Sequence, residues 1–166
     1  TETGVNTGIF SGSIAFEVAT SFTNGDSKLQ VSKGDKLTGT YIDPADDFGN
    51  EYTVTDVAFY DVSLKSGTIS TNTTWAKADS PFLVTGDVTV NSGKTLTIEA
   101  GSEVRFTPLS DDQSSGEDQN RPELTVKGTL IANGTASDTI VFTSNAETPA
   151  SGDWYGIYLK DSNASG

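Results

Sequence analysis

The second half of the chain sets the tightest limit on what it can fold into: from about residue 82 onward, short apolar runs return on an almost even beat. They read "DVTV", "TLTI", "EVRF", "LTVKGTLI", "TIVFTS" and "YGIYL", and Val88, Leu96 and Val104 stand eight residues apart. Runs rich in Val, Ile, Thr and Phe, bounded by Gly, Asn or Ser, are strands, and strands this brief need many partners to be stable. They suit a solenoid, in which each strand stacks on its equivalent one coil later. Two polar intervals, "PLSDDQSSGEDQNRP" and "SNAETPASGD", read as loops expelled from the coil. A solenoid tolerates them because the stacked strands stay in place.

The first half has a different rhythm. "GSIAFEV" (12–18), "KLQV" (28–31), "DKLTGTYI" (35–42) and "EYTVTDVAFY" (51–60) predict four or five antiparallel strands, with "TNGD" and "SKGD" as turn signals. Alternation runs through Leu37, Gly39 and Tyr41, and through Tyr52, Val54 and Asp56, then changes register at Val57 and Phe59; that slip predicts a bulge near Asp56. Such a set is part of a β-sandwich, which takes about seven strands. The remaining strands are expected upstream in a parent polypeptide or from a neighbouring chain. Residues 63–80 are rich in Ser and Thr and poor in large aliphatics, so they read as a linker. The best helical stretch, "TWAKADSPF", is stopped by Pro81 and reads as a connector. The expected organisation is a sandwich module over 1–62, a linker over 63–80 and a solenoid over 81–166.

Composition narrows the chemistry. Cysteine, methionine and histidine are absent, which removes thiol chemistry, the usual transition-metal ligands and the commonest general base near neutrality. Any metal should be a hard, oxygen-bound one. A net charge of −13 argues against nucleic acid as a partner, since a polyanion is repelled by such a field. A hydrophobic content of 34% suits two modest cores better than one large one. No stretch approaches the ~18 apolar residues of a membrane span, and "TETGVNTGIF" lacks the regions of a signal peptide, so the chain reads as a mature protein or a piece of a longer one.

"TETGVNTGIFSGSI" followed by "LQVSKGDKLTGTYIDPADDFGNEYTVTDVA" resembles an immunoglobulin-like module that recurs in very large bacterial and archaeal surface proteins. "SPFLVTGDVTVNSGKTLTIEAGSEVRF", with "LTVKGTLIANGT", "IVFTS" and "GDWYGIYL", is similar to the start of right-handed parallel β-helix regions in secreted and surface proteins. The fold class so implied is all-β, a partial immunoglobulin-like β-sandwich followed by a short right-handed parallel β-helix. Both resemblances imply an extracellular or cell-surface location and a structural or adhesive role. Neither implies a reaction.

Two acidic loops are candidate calcium sites, because calcium takes six to eight oxygen ligands from carboxylates, amides and carbonyls. The first carries Asp43, Asp46, Asp47, Asn50 and Glu51; the second carries Asp111, Asp112, Glu117 and Asp118. Neither has EF-hand spacing, and the competing reading of each is a solvated polar loop. Paired carboxylates also cleave glycosides, and β-helices host polysaccharide lyases, which need a basic residue. Arg105 and Arg121 are the only arginines, and alternation turns Arg105 outward between Val104 and Phe106. No catalytic residue is assigned. Trp75 and Trp154 are expected in the core or an interface rather than against a sugar. Sequons at Asn72, Asn133 and Asn163 are no more than chance supplies in a Ser- and Thr-rich chain.

The expected function is therefore a non-enzymatic extracellular structural protein, either a filament subunit completed by neighbours or part of a large surface adhesin. Its expected partners are copies of itself or adjacent modules, with surface glycans as a further candidate. The alternative is a carbohydrate-binding or polysaccharide-cleaving β-helix.

Overall fold

A computed structural model describes residues 12–19, 21, 23, 25–43 and 51–160. The chain divides into two compact units, Thr1–Asp61 and Val62–Gly166. In the first, β1 (Ala15–Val18) pairs with β2 (Lys28–Val31), and β3 (Lys36–Asp43) pairs with β4 (Tyr52–Phe59). The second pair is antiparallel, as expected, but β1 and β2 run parallel. The connection permits it: the nine residues between them reach about 30 Å when extended, well beyond the roughly 13 Å of a four-residue strand. The bulge expected at Asp56 is absent, because β3 and β4 stay in register from Lys36↔Phe59 to Asp43↔Tyr52. Both faces of that ribbon are exposed, so neither imposes a strict period of two. Val31 is the fully buried apolar residue described in this unit, and Phe16 meets Tyr60 edge to face at 5.6 Å.

The second unit is all parallel strand: β5 (Ser63–Ile69), β6 (Thr73–Trp75), β7 (Phe82–Val90), β8 (Thr95–Ile98), β9 (Glu103–Phe106), β10 (Glu123–Val126), β11 (Thr129–Ala132), β12 (Val141–Ser144) and β13 (Gly156–Leu159). Their pairing resolves into three stacked faces. On the first face, Leu64, Leu83, Arg105 and Thr143 lie in one column; on the second, Thr68, Thr89, Thr125 and Tyr158; on the third, Thr74, Thr97 and Ile131. This is a parallel β-helix. β5 and β7 each cross a corner and serve two faces, which is why their register shifts between Lys65 and Gly67.

Residues 63–80 are thus the opening coil and not a linker. β5 pairs with β7, β6 pairs with β8, and a single 3-10 turn at Lys77–Asp79 closes the coil. A coil requires apolar side chains only at inward positions, and Ile69 and Trp75 supply them while threonine faces out. The eight-residue beat also has a different meaning from stacked coils. Val88 lies on the second face, Leu96 on the third and Val104 on the first face of the next coil, whereas residues stacked directly, such as Leu83 and Arg105, are 22 apart.

Inward columns make the core: Phe82, Val84, Val88, Val90, Leu96, Ile98, Val104, Phe106, Leu124 and Val126, with Trp75 above and Trp154 beside them. Both tryptophans pack as expected, Trp75 stacking on Phe82 at 5.1 Å and Trp154 on Phe106 at 4.0 Å. Burying a side chain of this size stabilises by about 1.5–3 kcal/mol, so these columns are the main adhesion between coils.

Candidate functional site at the insertion corner

Both long insertions leave the helix at the same corner, between the first and second faces. In the β7 coil that corner is only Thr85-Gly86-Asp87; one coil later it holds residues 107–122, and one further it holds 145–155. Adjacent corners on a stack lie one strand spacing apart, roughly 4.8 Å, so the loops are neighbours from the outset. They bond directly, Leu109 N–H to Asp153 O at 2.9 Å and Tyr155 N–H to Pro122 O at 3.1 Å.

Three buried carboxylates fasten the first insertion down. Asp111 Oδ1 accepts the N–H groups of Asp87 (3.1 Å) and Gln113 (2.9 Å), and its Oδ2 accepts that of Ser115 (3.0 Å). Asp87 accepts the Ser115 hydroxyl (2.7 Å) and the Glu123 N–H (3.0 Å). Glu123, fully buried, accepts the Thr125 hydroxyl (2.6 Å) and the Glu117 N–H (3.1 Å). Two glycines leave room for this. A Cβ on Gly86 would stand 2.8 Å from Gln113 Cγ, and one on Gly116, at φ +71°, would stand 2.4 Å from Asp87 Oδ2. Burial raises the Asp87 carboxyl above its ordinary range; hydrogen bonds from Ser115 and Glu123 oppose this, and the charges of Asp111 and Glu123 add to it.

On the outside, Arg121 bonds Asp118 at 2.6 Å, which lowers the aspartate's pKa and raises the guanidinium's, and Lys160 pairs with Glu117. Arg121 lies 5.3 Å from the ring centroid of Tyr155, and Tyr155 stacks on Tyr158 at 5.8 Å. Asp153 is held below its usual range by the Ser144 hydroxyl and the Ala150 N–H. Arg105 does turn outward, and it bonds Glu103 at 2.9 Å.

The expected site residues are therefore distributed as follows. Of the second acidic set, Asp111 turns inward to the loop backbone, Glu117 and Asp118 face separate cations, and Asp112 is exposed. Of the first set, Asp43 ends β3 opposite Tyr52 and Glu51 is exposed before β4, while Asp46, Asp47 and Asn50 lie outside the described residues. Among the described residues no three acidic side chains converge as a metal site. Sequence reasoning passed over Asp87 and Glu123. Their signal was faint: each is a lone acid at the mouth of a strand, and only the stacking of coils brings them together.

Stacked parallel strands around three faces, with loops displayed from one corner, define a parallel β-helix. The chain belongs to the pectate-lyase-like β-helix domain family, whose match spans residues 67–164. No curated protein and no solved structure matches the sequence significantly. Among the described residues no helix is long and apolar enough to cross a membrane.

Proposed function

We propose that this chain is a non-catalytic, extracellular structural module whose β-helix serves as a rigid support in a surface assembly. The observation that carries the reading is the insertion corner, where Asp87, Asp111 and Glu123 are buried together beneath the first displayed loop. Here Asp87, Asp111 and Glu123 are spent on loop backbone and hydroxyl donors, and Arg121 and Arg105 are each engaged by a carboxylate. A general base must reach its substrate's proton, and groups so engaged hold the fold instead. The resemblance of residues 1–62 to surface immunoglobulin-like modules supports the same location and role. Calcium at the loop bearing Asp43 and Glu51 belongs to this proposal, and unfolding in calcium against chelator checks it, an unchanged melting temperature rejecting it.

The direct test is incubation with acidic and neutral polysaccharides, with and without calcium, read by new reducing ends and by unsaturated product absorbance. No product is expected, and turnover lost in Asp87→Asn or Arg121→Ala would overturn the reading. The second reading, a carbohydrate-binding β-helix, is favoured by the family and by the Tyr155–Tyr158 stack beside Arg121. Glycan-array binding that disappears in Tyr158→Ala would establish it.

A further inference from the structure

The corner between the third and first faces lies outside the chemistry of the insertion loops. It runs through residues 133–140 after β11, against 99–102 one coil earlier and 76–81 in the opening coil. Three coils are tied together there. Asp138 O accepts the N–H groups of Gly101 and Thr135, each at 3.0 Å, and the Asp138 carboxylate pairs with Lys77 at 2.6 Å. The main chain folds back closely on itself: a Cβ on Gly134 would stand 3.0 Å from Ile140 N and 3.3 Å from Asp138 O. The corner therefore favours a glycine at 134, and the residue before it is Asn133.

Asparagine is thermolabile, and most so before glycine, because the next amide nitrogen can close on the side-chain carbonyl and a missing Cβ leaves that approach open. Which asparagine reacts depends on what its amide and that nitrogen are already bonded to. Asn133 and Gly134 are both exposed and outside any strand. Among the described residues, neither the Asn133 side chain nor the Gly134 N–H makes a hydrogen bond. The other described asparagines are held or crowded. Asn72 Oδ1 accepts the Thr95 N–H at 3.0 Å. The nitrogen after Asn120, that of Arg121, donates to Asp118, and the one after Asn145, that of Ala146, donates to Ser144 Oγ at 3.0 Å. Asn91 precedes Ser92, whose Cβ stands in the way.

We propose that Asn133 is a site of spontaneous modification, converting in the folded chain to aspartate and isoaspartate without an enzyme. Gly134 N attacks Asn133 Cγ; the N–C bond forms as the Cγ–Nδ2 bond breaks, and the Gly134 proton leaves with Nδ2 as ammonia. Water then opens the succinimide ring. Opening at Cγ leaves aspartate, and opening at the main-chain carbonyl leaves isoaspartate, whose backbone runs through Cβ and Cγ and is one methylene longer. Nothing is oxidised or reduced, and either product adds a carboxylate to a chain already at −13. The longer product falls in the segment that sets the register of β12 on β9. Ile140, which packs against the core, and the bonds from Asp138 to Gly101 and Lys77 then carry the misfit. The corner loosens as the protein ages. The reaction needs no partner or substrate, so it stands apart from the structural reading above.

Incubation of the full chain in mildly alkaline buffer, sampled over time against an unincubated control, tests the proposal. Trypsin cuts after Lys127 and Lys160 and releases residues 128–160, a peptide that holds Asn133 together with Asn145 as an internal reference. Fragmentation in the mass spectrometer should place the exchange of NH2 for OH at Asn133, about tenfold or more faster than at Asn145, with aspartate and isoaspartate as separate chromatographic peaks. Asn133→Gln should leave the mass of this peptide unchanged. Aged wild type should melt below fresh Asn133→Asp, which carries the new charge without the longer backbone; equal melting overturns the loosening. No conversion at Asn133, conversion no faster than at Asn145, or conversion only in chain unfolded by urea overturns the proposal as a whole.

Discussion

Replacing Gly128 by alanine should damage the solenoid far more than the same change at Gly93, although both glycines sit in the corner between the second and third faces. A Cβ at residue 128 would lie 2.2 Å from Lys94 O and 2.3 Å from Asn91 O, against about 3.3 Å for a close carbon–oxygen contact. The obstructing atoms are backbone, so they can move only by spreading adjacent coils by about 1 Å. Those two oxygens also accept hydrogen bonds, Lys94 O from Thr129 N–H at 2.8 Å and Asn91 O from Lys94 N–H at 3.0 Å. Weakening both costs about 1 kcal/mol each, and overpacking adds about 1–3 kcal/mol, for a total of roughly 3–5 kcal/mol. At about 4 °C per kcal/mol for a unit of this size, the melting temperature should fall by roughly 10–20 °C. Gly93 has φ +70° and nothing within 4 Å of its ideal Cβ, so alanine there pays only the left-handed backbone cost, about 1–2 kcal/mol. Thermal unfolding followed by circular dichroism on both variants makes the comparison. Equal losses in the two, or a negligible loss at Gly128, would refute the reasoning that coil-to-coil closeness at this corner limits stability.

Two further outcomes are expected. Because burial holds the Asp87 carboxyl above its ordinary range, its contribution to stability is full below the ordinary carboxylate pKa and is lost as pH rises through the raised value. Wild type should therefore gain on Asp87→Asn in melting temperature as pH falls from neutral into the acid range; parallel curves would contradict this. Asp118, Asp138 and Asp153, all lowered, act in the opposite direction but equally in both proteins. At the first coil, Lys65→Glu should cost about 1 kcal/mol or more through loss and reversal of the cation over Phe82 and Trp75, whereas Lys65→Met, which can lie on the same rings, should stay near wild type. Chemical unfolding monitored by tryptophan fluorescence separates the two, and identical behaviour of both variants would remove the role assigned to the charge.

How much of this was legible beforehand varies with the range of the interaction. The short strands of the second half, the inward Val104 and Phe106 with outward Arg105, and the packed Trp75 and Trp154 follow from local pattern, since alternation is a property of neighbouring residues. The first coil was hidden because its strands use threonine outside and few large aliphatics inside, a composition shared with linkers. The acidic second loop was visible as charge, but its organisation was not. Asp111 serves a backbone turn while Glu117 and Asp118 serve cations, a division that depends on where Lys160 and Arg121 arrive.

By itself, then, the sequence determined an all-β chain without thiol or imidazole chemistry, a strongly anionic surface, and a second half made of strands that alternate inward and outward. Only the tertiary structure decided that the eight-residue beat counts faces, that residues 63–80 are a coil, and that Asp87 and Glu123, 36 residues apart, meet under one loop. The physical reason is that strand alternation is written in adjacent residues. Stacking registers, by contrast, follow from the lengths of the corners between strands, and those lengths carry no pattern until the coils close.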